Sequence, residues 1–136
     1  MSWAAPIAVL ATVASVASGC GTPSPDLVEV RRSGPDPNAN VTVVISDGGS
    51  VTCDGRRFSL DSDRLLRARE VARDLAPQAE LQLELPPGPA SDLSYRVRTE
   101  AGRVAFSDTS PGNPKSFQAL AAFTKDVTER VCGLER

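Results

Sequence analysis

The sequence predicts an α+β domain in which an antiparallel sheet built from hairpins carries two helices packed on one face. Three observations predict it: short runs that alternate apolar and polar residues, turn-forming residues between those runs, and two longer segments with helical spacing. The elements follow one another as strands, helix, strands, helix, an order typical of a two-layer domain. With 136 residues in the chain, we expect a single domain over residues 27–136.

The first two strands are predicted on either side of a loop. Leu27–Arg32 alternates Val28 and Val30 with charged residues, a period of two that is typical of a strand with one buried face. Val41–Ser46 alternates in the same way and is rich in β-branched residues. Between these strands, Ser33–Asn40 consists of turn-forming residues, so we expect a loop there.

A hairpin is predicted at Val51–Leu60. Asp54-Gly55 lies between two alternating runs, and this dipeptide is preferred in the two-residue type I′ turn. In the register that such a turn sets, Cys53 pairs with Arg56 and faces the core.

The first helix is predicted after Asp61-Ser62-Asp63, whose side chains can cap a helix and whose charges favour its N-terminus. Apolar residues recur at helical spacing from Leu65 to Leu75, and Ala76-Pro77 is expected to end the helix. Leu81–Leu85 alternates but precedes a proline-rich segment, so we interpret it as a short edge strand or an extended loop.

A second hairpin and a closing helix are predicted in the last third of the chain. Leu93–Thr99 and Arg103–Asp108 alternate, and Glu100-Ala101-Gly102 supplies the turn between them. Asn113-Pro114 is expected to open the helix as a cap and a first-turn proline, and Gly133 to end it. The apolar stripe of this helix is Phe117, Leu120, Thr124, Val127 and Val131, with Phe123 flanking it.

Composition excludes several classes of function. The chain has 15 Lys+Arg and 17 Asp+Glu, and a net charge of −2 provides no strong overall field for nucleic acid or an anionic membrane surface. It has no histidine, so Ser/His/Asp and Cys/His catalysis and histidine-ligated zinc are excluded. The acidic residues around Asp61 lack the spacing of a calcium loop. We therefore expect no cofactor, no metal and no nucleic-acid partner.

The N-terminal segment Trp3–Cys20 is an apolar run that ends in small residues and a cysteine. With Ala17-Ser18-Gly19 before the cysteine, it resembles the signal peptide of a bacterial lipoprotein. The resemblance implies a signal peptide over residues 1–19, lipid on Cys20, and a polar tether over residues 20–26. A lipidated chain would be anchored at the outer face of the cytoplasmic membrane.

Two other interpretations of this segment stay open. An uncleaved transmembrane helix needs about 20 apolar residues, and Trp3–Gly19 is slightly shorter, with Pro6 near its start. Ordinary signal cleavage would instead release a soluble secreted protein in which Cys20 is a free thiol.

The other two cysteines, Cys53 and Cys132, form an even pair if Cys20 carries lipid. In an oxidising compartment we expect them to form a disulfide. Closing this loop would stabilise the fold by about 4 kcal/mol in the chain-entropy model. The alternative is a pair of buried free thiols that pack as small apolar residues.

The mature domain resembles the emfourin family, small inhibitors of thermolysin-like metallopeptidases. The resemblance lies in Arg31-Arg32-Ser33-Gly34 after the first strand, in the Leu-led helix after Asp61-Ser62-Asp63, and in Asp92–Val97 leading to Gly102-Arg103 and a closing helix. It implies a non-enzymatic domain that binds a peptidase through its loops, and it assigns no residue a role in inhibition.

The sequence therefore predicts a non-catalytic, membrane-anchored lipoprotein whose disulfide-tied domain binds a protein partner. The resemblance implies an envelope peptidase as that partner, and the loops at Ser33–Asn40, Pro86–Ser91 and Ser107–Gly112 are the expected contacts. The alternative is a small extracytoplasmic ligand-binding protein or a hydrolase that uses carboxylates and arginine.

Overall fold

The computed structural model of the chain describes residue 1 and residues 26–135. The predicted signal peptide and Cys20 lie outside the described residues, so the interpretation of that segment stays a prediction. None of the helices within residues 26–135 is long and apolar enough to cross a membrane. The strands are β1 Asp26–Ser33, β2 Val41–Ser46, β3 Ser50–Cys53, β4 Arg56–Ser59, β5 Ser94–Thr99 and β6 Gly102–Ser107, and the helices are α1 Ser62–Glu80 and α2 Lys115–Asp126.

The six strands form one antiparallel sheet in the order β4-β3-β2-β1-β5-β6. β1 joins the two halves of the sheet, because it pairs with β2 on one side and with β5 on the other. α1 packs against β1, β5, β6 and α2, so the helices form the second layer. The α+β class with an antiparallel sheet and two helices is thereby confirmed.

The core lies between the sheet and the helices. Along the strands, alternate residues are buried and all of them share one face, as the hydrophobic patterns predict. Tyr95, Phe106 and Phe117 stack in series, with ring centroids 4.8 Å and 4.5 Å apart. The helices contribute Ala68, Val71, Leu75, Ala79, Leu120 and Phe123 to the same core, and Val127 joins them from the turn that follows α2.

Local turn chemistry fixes the β3–β4 hairpin as predicted. Asp54 and Gly55 have φ values of +48° and +84°, and a type I′ turn requires positive φ at both central residues. Cys53 pairs with Arg56, and Cys53 is buried.

The predicted end of α1 at Ala76-Pro77 is wrong, because the helix continues through Pro77 to Glu80. Proline removes one backbone N–H from a helix interior, a cost that tertiary packing can offset. Here Ala79 is buried and its carbonyl lies against Gly102, where a side chain would overlap it. The last turn of α1 is therefore held by its contact with the β5–β6 hairpin.

The predicted cap of α2 is also wrong. Pro114 occupies the cap position with extended backbone, while the side-chain amide of Asn113 donates to the carbonyl of Ser107 at 3.1 Å. At the other end, a π-helical turn over Val127–Val131 follows α2, and Gly133 adopts φ +73° as predicted for a terminating glycine.

Of the predicted segment Leu81–Leu85, the first two residues form a turn after α1, with Gln82 at φ +49°, and residues 83–85 make a single bridge to the sheet, between Glu84 and Ala105. The amide of Leu85 donates to the carbonyl of Ala105 at 2.8 Å, and the amide of Ala105 donates to the carbonyl of Leu83 at 3.1 Å. This segment covers the outer edge of β6, which protects that edge from pairing with another chain.

Candidate functional site

A disulfide joins Cys53 and Cys132, whose Cα atoms are 6.2 Å apart. Both cysteines are buried, and the bond ties the β3–β4 hairpin to the segment that follows α2. This pairing confirms the prediction for the two cysteines. Cys20 lies outside the described residues.

The three loops expected to bind a partner leave the sheet at the same end. Ser33 at the end of β1 pairs with Ser94 at the start of β5, and Ser94 pairs with Ser107 at the end of β6. Asp26, where β1 begins, lies at the opposite end, about 25 Å away at the usual rise per residue. We call the surface of these loops the loop end: residues 33–40, 86–91 and 107–112.

Arg32 anchors the loop at residues 33–40 from the core side of the sheet. It lies on the inner face of β1 and is only 3% exposed. Its guanidinium donates from Nε to the carbonyl of Ala39 at 3.0 Å, from Nη2 to the carbonyl of Asn38 at 2.9 Å, and from Nη1 to Oγ1 of Thr128 at 3.3 Å. The alternation of Val28 and Val30 continues to Arg32, so the sequence pattern alone could have predicted that Arg32 lies on the core face.

Close backbone contacts and side-chain caps hold the loops against one another. A Cβ atom at Gly34 would overlap the backbone carbonyl of Asp92, and one at Gly88 would overlap that of Thr109, so the loops approach more closely than other residues allow. Asp108 accepts hydrogen bonds from Oγ of Ser91 at 3.1 Å and from the amide of Asp92 at 3.2 Å. The loop end is therefore a connected surface.

A second surface lies on the solvent side of the sheet, opposite the helices. We call it the arginine face: Arg31, Arg96, Arg98 and Arg103, with Glu29 and Glu84. These residues line a surface depression of about 270 Å³. Cross-strand pairing sets Arg31 directly beside Arg96 and Arg98 directly beside Arg103. Like charges in direct cross-strand pairs destabilise a sheet, and a bound anion would offset that repulsion through hydrogen bonds from the guanidinium groups.

Glu29 lies among these arginines and orients two of them. Its Oε1 accepts from Nε of Arg31 at 2.9 Å, and its Oε2 accepts from Nη2 of Arg98 at 2.6 Å. Sequence alternation places Arg96 and Arg98 on the polar side of β5, but only the β1–β5 pairing brings Arg31 beside them. The arginine face was therefore missed, because β1 lies far in the chain from the β5–β6 hairpin that supplies the other arginines.

The acidic residues near the start of α1 have structural roles. Oδ1 of Asp61 accepts from the amide of Arg64 at 2.9 Å, as a helix cap does, and Asp47 pairs with Arg69 at 2.7 Å. Within the part of the chain that the structure describes, no three acidic, cysteine or histidine side chains converge as metal ligands. Comparison of the chain with protein-family models, with curated proteins and with solved structures found no match.

Proposed function

We propose that this chain is a non-catalytic lipoprotein, anchored through Cys20, whose domain binds a protein partner at the loop end. The observation that supports it best is the convergence of three loops at the end of the sheet opposite Asp26. Loops on a rigid scaffold are where binding residues concentrate. Because the tether joins the domain at the other end, the anchor leaves the loop end accessible.

The loop end has the rigidity that an efficient binding surface needs. Arg32 donates hydrogen bonds to the backbone carbonyls of Asn38 and Ala39. The side-chain amide of Asn38 donates to the carbonyl of Glu135, which lies in the C-terminal segment that the Cys53–Cys132 disulfide ties to the sheet. A surface ordered before binding loses less conformational entropy on association. These contacts favour a binding surface over a flexible linker region.

An envelope peptidase is the partner class that we propose, on the resemblance to emfourins. The segment Pro86-Pro87-Gly88-Pro89 supplies stiff backbone at the loop end, because proline fixes φ and lacks a donor. The six residues from Gly21 to Asp26 span about 20 Å at full extension, so the anchored domain would meet partners near the membrane surface.

The test is capture of partners from a membrane extract with the full chain, together with inhibition assays on thermolysin-like peptidases. We expect a double variant with Pro87→Lys and Pro111→Lys, both in exposed loop positions, to lose the captured protein and any inhibition. The matched control carries Leu66→Lys and Leu81→Lys, which make the same charge change at exposed positions 60% and 80% accessible on the helix layer. Equal capture by both variants would exclude the loop end as the binding surface.

The anchor has its own test. Mass spectrometry of the protein extracted from membranes should show a chain that begins at Cys20 with a thioether-linked diacylglycerol. An unmodified N-terminus would exclude the lipid anchor and leave secretion or an uncleaved helix as the explanation of the apolar segment.

A further inference from the structure

We propose that the arginine face lies against the anionic phospholipid surface of the membrane that carries the chain, so that the domain rests on its sheet. This inference rests on the membrane attachment in the proposed function, and it adds a second contact between the domain and the membrane. The arguments are the charge of the face, its place relative to the tether, and the charge of the end from which the tether leaves.

The net charge of −2 is the sum of a positive arginine face and a negative remainder of the chain. The arginine face has four arginines and two glutamates, a local charge of +2. Removing these six from the 15 basic and 17 acidic residues of the chain leaves a net charge of −4 for everything else. An anionic surface therefore attracts the arginine face more strongly than the rest of the domain, which favours one orientation.

The arginines of this face are available to bind anions. Side chains of Arg31 and Arg98 are 67% and 54% exposed although both contact Glu29. Arg96 and Arg103 are also exposed, and no carboxylate of the described residues lies within ion-pair distance of either one. Guanidinium groups bind phosphate oxygens through paired N–H donors, so phospholipid head groups suit such a cluster.

The arginine face is also close to the tether. Glu29 is three residues from Asp26, which places it about 10 Å from the start of β1. Arg98 pairs with Glu29 and Arg103 pairs with Arg98, so both arginines lie at the same height on the sheet. The row of Arg31 and Arg96 lies about 17 Å from the same point. The predicted tether spans about 20 Å, so an anchored domain can place all four arginines on the membrane surface.

The end from which the tether leaves has more acidic than basic side chains. Its carboxylates are Asp26 at the start of β1, Asp47 after β2 and Glu100 in the β5–β6 turn. Arg69 pairs with Asp47, and Arg73 lines the same depression as the carboxylates, so two arginines against three carboxylates leave a net charge of −1. Anionic lipids therefore favour the positively charged arginine face over this end, and a domain lying on its sheet is favoured. In that orientation the loop end points along the membrane, toward partners at the same height.

Arginine modification on vesicles tests this contact with the full chain. Phenylglyoxal is added to the chain reconstituted into vesicles of phosphatidylglycerol or of phosphatidylcholine, and mass spectrometry reads modification at each arginine. We expect several-fold slower modification of Arg31, Arg96, Arg98 and Arg103 on the anionic vesicles at low salt. The protection should fade as the Debye length falls from about 30 Å at 0.01 M salt to about 3 Å at 1 M. Equal rates on the two lipids at low salt would overturn the proposal.

Two variants with the same charge change sharpen the test. Arg96→Glu with Arg103→Glu should abolish the protection of Arg31 and Arg98 on anionic vesicles. Arg67→Glu with Arg73→Glu, at exposed positions of α1, should leave that protection intact. Equal loss in both variants would mean that only the net charge matters, and this would overturn the arginine face as the contact.

Two further experiments distinguish binding to a lipid surface from binding to small anions, and from attachment through the lipid anchor. Inorganic phosphate added on neutral vesicles should leave the four arginines reactive, whereas full protection by phosphate there would overturn the proposal in favour of a small-anion site. Flotation of the full chain with neutral vesicles reports on membrane attachment through the N-terminal segment alone. A chain that fails to float with them but is protected on anionic vesicles would exclude the anchor while supporting the arginine face.

Discussion

Arg64 and Asp126 join the start of α1 to the end of α2 through two parallel hydrogen bonds. Nε of Arg64 donates to Oδ2 of Asp126 at 2.8 Å, and Nη2 donates to Oδ1 at 3.2 Å. Nη1 of Arg64 also donates to Asp61, the cap residue of α1, at 2.6 Å. Side-chain hydrogen bonds from Arg64 lower the pKa of Asp126 below its usual 3.8. The pKa of Asp61 is lowered by the backbone amide of Arg64 and then by its guanidinium.

This pairing predicts a pH-dependent stability contribution. A carboxylate whose pKa is lowered by folding stabilises the fold above its unfolded pKa, and this stabilisation is lost as the pH falls through the lower folded value. Asp126→Asn should therefore lower the midpoint of urea unfolding modestly at pH 7, because solvent screens a half-exposed pair. The difference from the unmodified chain should shrink as the pH falls below 3.8. Asp74→Asn, an exposed position of α1, is the control, and a pH-independent difference for Asp126→Asn would contradict the pairing.

Reduction of the disulfide should destabilise the domain without changing its fold. The bond closes a separation of 79 residues, and the chain-entropy model gives about 4 kcal/mol for a loop of this size. Replacing both Cys53 and Cys132 with alanine should lower the free energy of unfolding by a similar amount, measured by urea titration. Non-reducing peptide mapping of the unmodified chain should recover the crosslinked peptides. Free thiols at both positions in exported protein would contradict the pairing.

Local rules predicted those parts of the fold that local chemistry decides. The Asp54-Gly55 turn set the β3–β4 register correctly because both residues tolerate positive φ. The same kind of rule failed at Pro77, because the continuation of α1 depends on the contact between Ala79 and Gly102 from a distant hairpin. Propensity decides an element only where tertiary packing does not oppose it.

Strand order limits what a sequence predicts about surfaces. The loop end could be anticipated from turn composition, but its convergence at one end of the sheet required the β1–β5 and β5–β6 pairings. The arginine face depends on β1–β5 pairing even more directly, since Arg31 and Arg96 are 65 positions apart in the chain. Pairings of this range come from global packing and leave no local sequence signal.

Gly102 should be intolerant of a side chain. It has φ +147°, and a Cβ atom there would overlap the carbonyl of Ala79 in the last turn of α1. Gly102→Ala should cost more than about 3 kcal/mol, since backbone strain and steric overlap act together. Gly55→Ala is the matched control, because its φ is +84° with nothing within 4 Å, so it should cost only about 1–2 kcal/mol. Chemical denaturation of both variants measures the difference, and similar losses would show that α1 does not press on Gly102.

Arg32 should be the residue that links the stability of the core to the order of the loop end. Arg32→Met keeps the aliphatic length but leaves the carbonyls of Asn38 and Ala39 without the donors that the guanidinium provides. We expect a loss of about 3 kcal/mol, because the buried carbonyl of Ala39 and the partly buried carbonyl of Asn38 would lose charged donors. Arg32→Lys should recover part of it, since one ammonium cannot reproduce the planar fork.

Arg31→Met is the control for this pair of variants, because Arg31 directly precedes Arg32 in β1 and lies on the opposite, exposed face. Its surface ion pair should contribute less than about 1 kcal/mol. Hydrogen exchange adds a local readout: residues 33–40 should exchange faster in Arg32→Met and at an unchanged rate in Arg31→Met. If both variants lose the same stability, or if exchange in residues 33–40 does not respond to Arg32→Met, the guanidinium does not organise the loop end. If Arg32→Met speeds exchange only in residues 33–40, the buried guanidinium of Arg32 orders the loop that we propose binds the partner.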